Sequence, residues 1–297
     1  MLKTGLKKEM MYLGRTGKLV GIIVAMLVFA IMDGIMLKVT GAMMSSMSTT
    51  MQQQIGELPD EVAESEKANE LNEITNSMSS MTSLFDNMSA STVLYSTIAD
   101  ISGLGILITL LVIKSACGGE QKKRSIIIPR CAGLTPKMYI LPKFILYPAI
   151  IFILSVISVL IASVMSQLLF EGSILFENVL VAGVTLGIYL AFVMTVMLTL
   201  GICTEKPGIS VIIVLVAINI VPSLLSSYRV DRFNPFALPA LVSGAVTAEG
   251  SAFASLDMLN FWVSVGTTIV ISVVLYFVTL LALNAKEVRN EGNEPVL

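Results

Sequence analysis

The sequence predicts an all-α membrane protein of six transmembrane helices. It adds an N-terminal amphipathic interfacial helix, an extracellular helical hairpin between spans one and two, and a re-entrant segment before span six. Three observations carry this reading. Of 297 residues, 55% are hydrophobic and only 13% are charged, where a soluble domain carries about 25% charged residues. Four stretches, 144–170, 178–204, 207–228 and 258–285, contain no Asp, Glu, Lys or Arg, and each exceeds the roughly 20 apolar residues that cross a bilayer. Two further apolar runs, 19–40 and 93–115, are interrupted only by Asp33 and Lys38 and by Asp100 and Lys114. A lipid interior offers the backbone no hydrogen-bond partner, so such runs must satisfy themselves as helices.

Composition also excludes chemistry. With no histidine in the chain, Ser-His-Asp catalysis, HExxH metalloprotease chemistry and a serine–histidine intramembrane pair are all ruled out. Cys117, Cys131 and Cys203 lack CxxC spacing and read as reduced bystanders on the cytoplasmic face. No metal site and no nucleic-acid partner are expected.

Lys and Arg set the orientation. Fifteen fall on the face that carries both termini, including seven between Lys114 and Lys143, and four fall opposite. Both ends are therefore expected in the cytoplasm. Residues 1–18 place Leu2, Leu6, Met10 and Leu13 at spacings of four, four and three, with Lys3 and Lys7 off that stripe, the pattern of a helix lying on the inner membrane surface. A disordered basic tail is the plainer alternative. The remainder, 19–297, forms the six-span domain.

The segment 41–92 shifts to Ser, Thr, Gln, Glu and Met but stays periodic. Met44, Met47, Met51, Ile55 and Leu58 precede Pro59, and Leu71, Ile74, Met78, Met81, Phe85 and Met88 follow it, in steps of three or four. These heptad-like seams predict spans one and two continuing outward as an antiparallel hairpin. Its second arm would reach on the order of 30 Å. Methionine sulfur also suits Cu(I), but methionine at helical spacing more simply fills an adaptable seam. The seven carboxylates from Glu57 to Glu73 face Lys67 alone. They read as a solvated tip or as a docking surface for a cationic partner.

Asp33 and Asp100 lie about six and eight residues below the outer ends of their spans, hence at similar depth. A carboxylate inside a membrane normally faces a bundle interior or a wet cavity, so the pair is a candidate lining of a substrate path. Lys38 and nearby hydroxyls could instead satisfy them. Gly183 and Gly187 form a GxxxG, a close-packing signal. Before span six, 229–257 holds Asn234-Pro235, Pro239 and a 13-residue apolar stretch, Phe236 to Ala248. That is too short to cross and long enough to dip in and return. No GxxxxGK[ST] occurs, so the chain is not expected to be an enzyme that hydrolyses ATP through a P-loop.

The stretch after span two reads Gly119-Glu120-Gln121-Lys122-Lys123-Arg124-Ser125, then Cys131-Ala132-Gly133-Leu134-Thr135-Pro136-Lys137, with Lys143 opening span three. It resembles the permease subunits of ABC-2 type transporters, where a Glu follows span two and a Gly/Pro-Ser/Thr turn precedes a Lys at span three. The likeness extends to the surface helix, the six spans with both ends inside, and the Asn-Pro segment. The resemblance implies a second permease, identical or not, in the plasma membrane of a prokaryote. It also implies separately encoded ABC ATPase subunits that bind ATP and Mg, so that this chain needs no cofactor itself. It assigns the loop 116–140 to ATPase coupling, through Glu120, Lys122, Lys123 and Arg124, with Arg130 and Lys137 beside them. The hairpin at 41–92 is longer than many members have, which argues against a polysaccharide; the few polar groups at membrane depth point to an amphipathic or hydrophobic substrate such as a peptide, drug or lipid-linked molecule. The alternatives are an ion-coupled secondary transporter or channel built on Asp33 and Asp100, and a membrane sensor or anchor. No inverted repeat or matched pair of broken spans favours a secondary transporter.

Overall fold

The computed structural model describes residues 2–56, 66–86, 88–114, 135–204, 206–227, 233–247, 250–252 and 257–291. The tip around Pro59 lies outside them, as do Glu120, Lys122, Lys123, Arg124 and Arg130. Every regular element among the described residues is helical. Six helices are long and apolar enough to cross a membrane: Lys18–Met51, Ala90–Leu111, Pro136–Leu169, Phe176–Thr204, Gly208–Ser227 and Met258–Ala285. The chain is a multi-pass membrane protein.

A short helix, α1 (Leu2–Arg15), leads. It stops at a turn where Gly17 adopts φ +66°, a left-handed conformation that a β-carbon disfavours. The next helix, α2 (Lys18–Gly56), is one unbroken rod, on the order of 58 Å long at 1.5 Å per residue. No proline interrupts it, and its polar second half continues the helix of the apolar first half. The next helix, α3 (Glu66–Asp86), returns along it, with the Phe85 side chain against Gly41. Of the seam residues expected above, Met44, Met51, Met78, Phe85 and Met88 are half-buried. Met47, Ile74 and Met81 are about half exposed, while Gly41, Ser48 and Thr75 are buried.

Span two is composite. It comprises α4 (Ala90–Asp100), a π-helical turn (Ile101–Gly105) and α5 (Ile106–Ile113). It starts three residues before the expected Val93, because the Ser89 side chain accepts the Thr92 N–H and caps the helix. Span three is α6 (Pro136–Leu169), capped by Thr135 with Pro136 in its first turn. Spans four and five are α7 (Phe176–Thr204) and α8 (Pro207–Ser227). A 3₁₀ turn (Pro235–Ala237) and α9 (Leu238–Val246) lead to span six, α10 (Met258–Glu291).

Span four forms the centre. In its most apolar stretch 67% of residues are buried, against 17% for α8 at the periphery. Because lipid tails are as apolar as leucine, packing rather than the hydrophobic effect holds such helices together. The tightest contact, α6 on α7, is accordingly built from small residues: Ser155, Ser158 and Ala162 on one side, Ala182, Gly183 and Gly187 on the other, all buried. A β-carbon at Gly183 would lie 3.5 Å from the Val156 Cα, whereas one at Gly187 would lie 2.8 Å from the Phe152 ring and 3.2 Å from its carbonyl oxygen.

Candidate functional site

Three polar features and one cavity stand out from the apolar bundle. The first joins α1 to the base of span three. Gly5 meets Pro142 so closely that an added β-carbon would sit 2.6 Å from the Pro142 Cγ. One and two turns further on, Glu9 and Leu13 are buried and continue the same i, i+4, i+8 face. Glu9 is matched. Its Oε1 lies 3.0 Å from the Lys143 Nζ, and its Oε2 accepts a hydrogen bond from the Tyr147 hydroxyl at 3.1 Å. The Lys143 ammonium also stands 5.1 Å from the centre of the Tyr139 ring, within cation–π range. The two charged side chains are 1% and 4% exposed, so neither can turn to water. An ion pair this enclosed locks α1 to the third span as one rigid piece.

The stripe Leu2, Leu6, Met10 and Leu13 is divided between the bundle and its surroundings. Leu13 is buried and Leu6 packs on the core, but Leu2 and Met10 remain 44% and 45% exposed. The face applied to the bundle is instead the one carrying Glu9.

The second feature is the pair at membrane depth. The Thr97 hydroxyl donates to the Asp33 Oδ2 at 2.7 Å, and Asp100 stands near enough to Asp33 for the two carboxyl groups to interact. Thr97 precedes Asp100 by three residues and so shares its helix face. The π turn begins at the very next residue; such wide turns inside a helix frequently mark functional positions. Lys38 is directed elsewhere, 5.3 Å from the centre of the Phe170 ring.

The third feature closes the opposite end of the bundle. Asn178, buried at the start of α7, donates to the Gly250 carbonyl at 2.9 Å and accepts from the Ala252 N–H at 2.7 Å, while Ser251 donates to Glu177. These bonds tie the segment before span six to span four. Asn234 is buried and accepts the Phe236 N–H at 3.0 Å, which caps the turn opened by Pro235. Leu238, Val242 and Val246 of α9 are buried as one stripe. The Phe236 ring packs edge-on against Phe192 at 5.3 Å.

A cavity of about 440 Å³ lies between α6, α7 and α10, within the size range of small-molecule sites, roughly 300–1,000 Å³. Phe144, Phe152, Ile188, Phe192, Ile269 and Tyr276 give it apolar walls. The hydroxyls of Thr195, Thr268 and Ser272 also line it, but each donates to the carbonyl four residues earlier in its own helix. They offer a guest lone pairs only, and the space suits hydrocarbon better than a polar molecule.

Of the residues singled out in the sequence, Asp33 and Asp100 are brought together. Asn234 and Pro235 form a helix cap, and Lys137 is exposed in the first turn of α6. The other basic residues and Glu120 lie outside the described residues. Sequence reasoning missed Glu9, Lys143 as an ion-pair partner, Tyr147 and Asn178. One signal was present, since Glu9 is the sole acidic residue before Asp33. No family model, no curated protein and no solved structure matches the chain.

Proposed function

We propose that this chain is the transmembrane permease subunit of an ABC-2 type exporter, in which separate ATPase subunits bind ATP and Mg and drive an amphipathic or hydrophobic substrate across a prokaryotic plasma membrane. The observation that supports it most is the lock between α1 and span three. A motor docked at the face carrying the termini would act on α1 and on the loop 116–140. Glu9, Lys143 and Tyr147 would pass that displacement into the bundle without slack. In this reading both termini are cytoplasmic, α1 lies at the inner membrane surface, and α3 with the outer half of α2 forms an extracellular hairpin. The segment 229–257 re-enters the membrane from outside. Glu120, Lys122, Lys123 and Arg124 face the ATPase, with Arg130 and Lys137 nearby. The apolar cavity fits the substrate class.

The experiment is recovery of the chain from gently solubilised native membranes, followed by mass spectrometry of its partners. A P-loop ATPase should be recovered near one-to-one and lost when Glu120 and Lys122–Arg124 are replaced by alanine. Recovery without any ATPase would sink the proposal.

The adjacency of Asp33 and Asp100 favours a second reading, ion-coupled transport. Purified chain in ATP-free liposomes should then move substrate or cation down an imposed ion gradient, and Asp33→Asn and Asp100→Asn should each abolish that flux. If the same substitutions leave gradient-driven flux unchanged, or no such flux exists in the wild type, this second reading fails.

A further inference from the structure

The cavity between α6, α7 and α10 is a cleft rather than a closed chamber. Phe192, Thr195 and Thr268 are buried at its back, while Ala149, Ile269 and Val273 on its rim are exposed. Helices α6 and α10 both pack on α7. They meet each other at the end of the bundle that carries α1, where the Phe144 and Tyr276 rings stand edge-on at 5.6 Å and Tyr139, Ile140, Leu280 and Leu283 share a buried cluster. Beyond that contact the cleft separates them.

Depth and length match one leaflet. On α6 the lining runs from Leu141 to Phe152, on α7 from Ile188 to Thr195 and on α10 from Thr268 to Tyr276. Each stretch reaches from about the middle of its span toward the end that carries α1. Along α6 the cleft is about 16 Å long at 1.5 Å per residue, close to half of the roughly 30 Å hydrocarbon core. Its aromatic walls are held by neighbours, Phe144 by Tyr276 and Phe192 by Phe236, so the shape is set before anything enters. A cation marks the mouth. Lys137 precedes Leu141, Phe144, Pro148 and Phe152 by four, seven, eleven and fifteen residues, which puts all five on one face of α6. Lys137 is exposed, one turn short of the lining.

We infer that the cleft holds one acyl chain of an anionic phospholipid from the leaflet on the side of the termini, with the lipid phosphate at the Lys137 ammonium. The walls offer no free donor, since the hydroxyls of Thr195, Thr268 and Ser272 are spent on their own helices, so a hydrocarbon guest loses nothing that a polar one would gain. An empty cleft forfeits the dispersion contacts of its lining, and the molecules standing at its open side are lipid chains. Half the core thickness is the depth one chain reaches from its own headgroup. A lysine near the membrane surface favours a negatively charged headgroup. A hydrophobic substrate entering this cavity would first displace the chain. The inference requires no ATPase and so stands apart from the exporter reading.

The test is photo-cross-linking of the full chain in phosphatidylcholine nanodiscs that contain a small fraction of phosphatidylglycerol bearing a diazirine midway along one acyl chain. After illumination and digestion, adducts should concentrate on 144–152 and 268–276 and exceed those at Ile157 and Leu281, which are exposed outside the cleft. The same label carried on phosphatidylcholine should mark exposed positions evenly. Lys137→Ala should raise the half-saturating fraction of labelled phosphatidylglycerol about fivefold. Ala149→Phe, on the exposed rim where a ring can turn into the cleft, should remove most cleft adducts. Adducts at Ile157 and Leu281 should persist in both variants, which shows that the chain is still inserted and folded. Equal yields inside and outside the cleft, equal cleft labelling by the two headgroups, or an unchanged half-saturation in Lys137→Ala would each overturn the inference. Cleft labelling of a chain that recovers no ATPase would leave it standing while the exporter reading fell. An ATPase recovered with a chain whose adducts are evenly spread would do the reverse.

Discussion

Lys143→Met is expected to lower the unfolding free energy in mixed micelles by about 3–5 kcal/mol, the usual consequence of removing one partner from a buried ion pair. The substitution nearly preserves side-chain length, so the loss comes from charge. Glu9 would be left 4% exposed, with the Tyr147 hydroxyl its one remaining partner among the described residues. The pair as a whole is another matter, because replacing both members by apolar side chains is often neutral. The double variant Glu9→Leu/Lys143→Met should therefore recover most of the stability lost by Lys143→Met alone. The measurement is denaturant-titrated unfolding followed by tryptophan fluorescence, Trp262 being the sole tryptophan. Equal losses in the single and double variants would show that Glu9 and Lys143 act independently.

Gly187→Leu is the other large effect, with an expected cost at the upper end of the roughly 1–3 kcal/mol typical of overpacking. The two glycines of the GxxxG are not equivalent. At Gly183 a β-carbon would make ordinary contact, 3.5 Å from the Val156 Cα, so Gly183→Ala should be nearly silent. At Gly187 it would meet the Phe152 ring at 2.8 Å and a backbone oxygen at 3.2 Å. The ring can yield into the cavity it lines; the backbone cannot. Gly187→Ala should thus be mild, Gly187→Leu severe, and Phe152→Ala should rescue Gly187→Leu only in part. Thermal stability in detergent, scored by the fraction of chain remaining monodisperse, ranks the series. A Gly183→Ala as damaging as Gly187→Leu would refute the assignment.

The six spans were legible because membrane solvation acts on each helix separately, so the absence of charge over 144–170 or 258–285 needs no knowledge of the fold. The similar depth of Asp33 and Asp100 was legible for the same reason, by counting from span ends. Helix facing was not. The stripe Leu2, Leu6, Met10 and Leu13 marks the apolar side of α1 but does not say which residues of the helix meet the bundle. Glu9 is matched by a lysine 134 positions away, and no local period reports such a pairing. In the outer hairpin, periodicity finds Phe85 and its half-buried neighbours but not Gly41, Ser48 and Thr75, the small or polar residues buried there.

The wide turn at Ile101–Gly105 gives span two an unusual tolerance. Before it the buried positions include Leu94, Ile98 and Ile101, and after it Ile106, Leu110 and Ile113, while Leu104 is 57% exposed. An uninterrupted α-helix would have carried this stripe on through Gly105 alone, which is buried; the turn holds one residue more than an α turn and brings Ile106, Leu110 and Ile113, one position further on, to the buried side. Removing a single residue within 101–105 would restore ordinary helix and leave both flanking halves facing as they do now. A deletion elsewhere in the span would rotate the remainder by about 100°. Here alone in that helix, loss of a codon need not turn the buried face toward lipid.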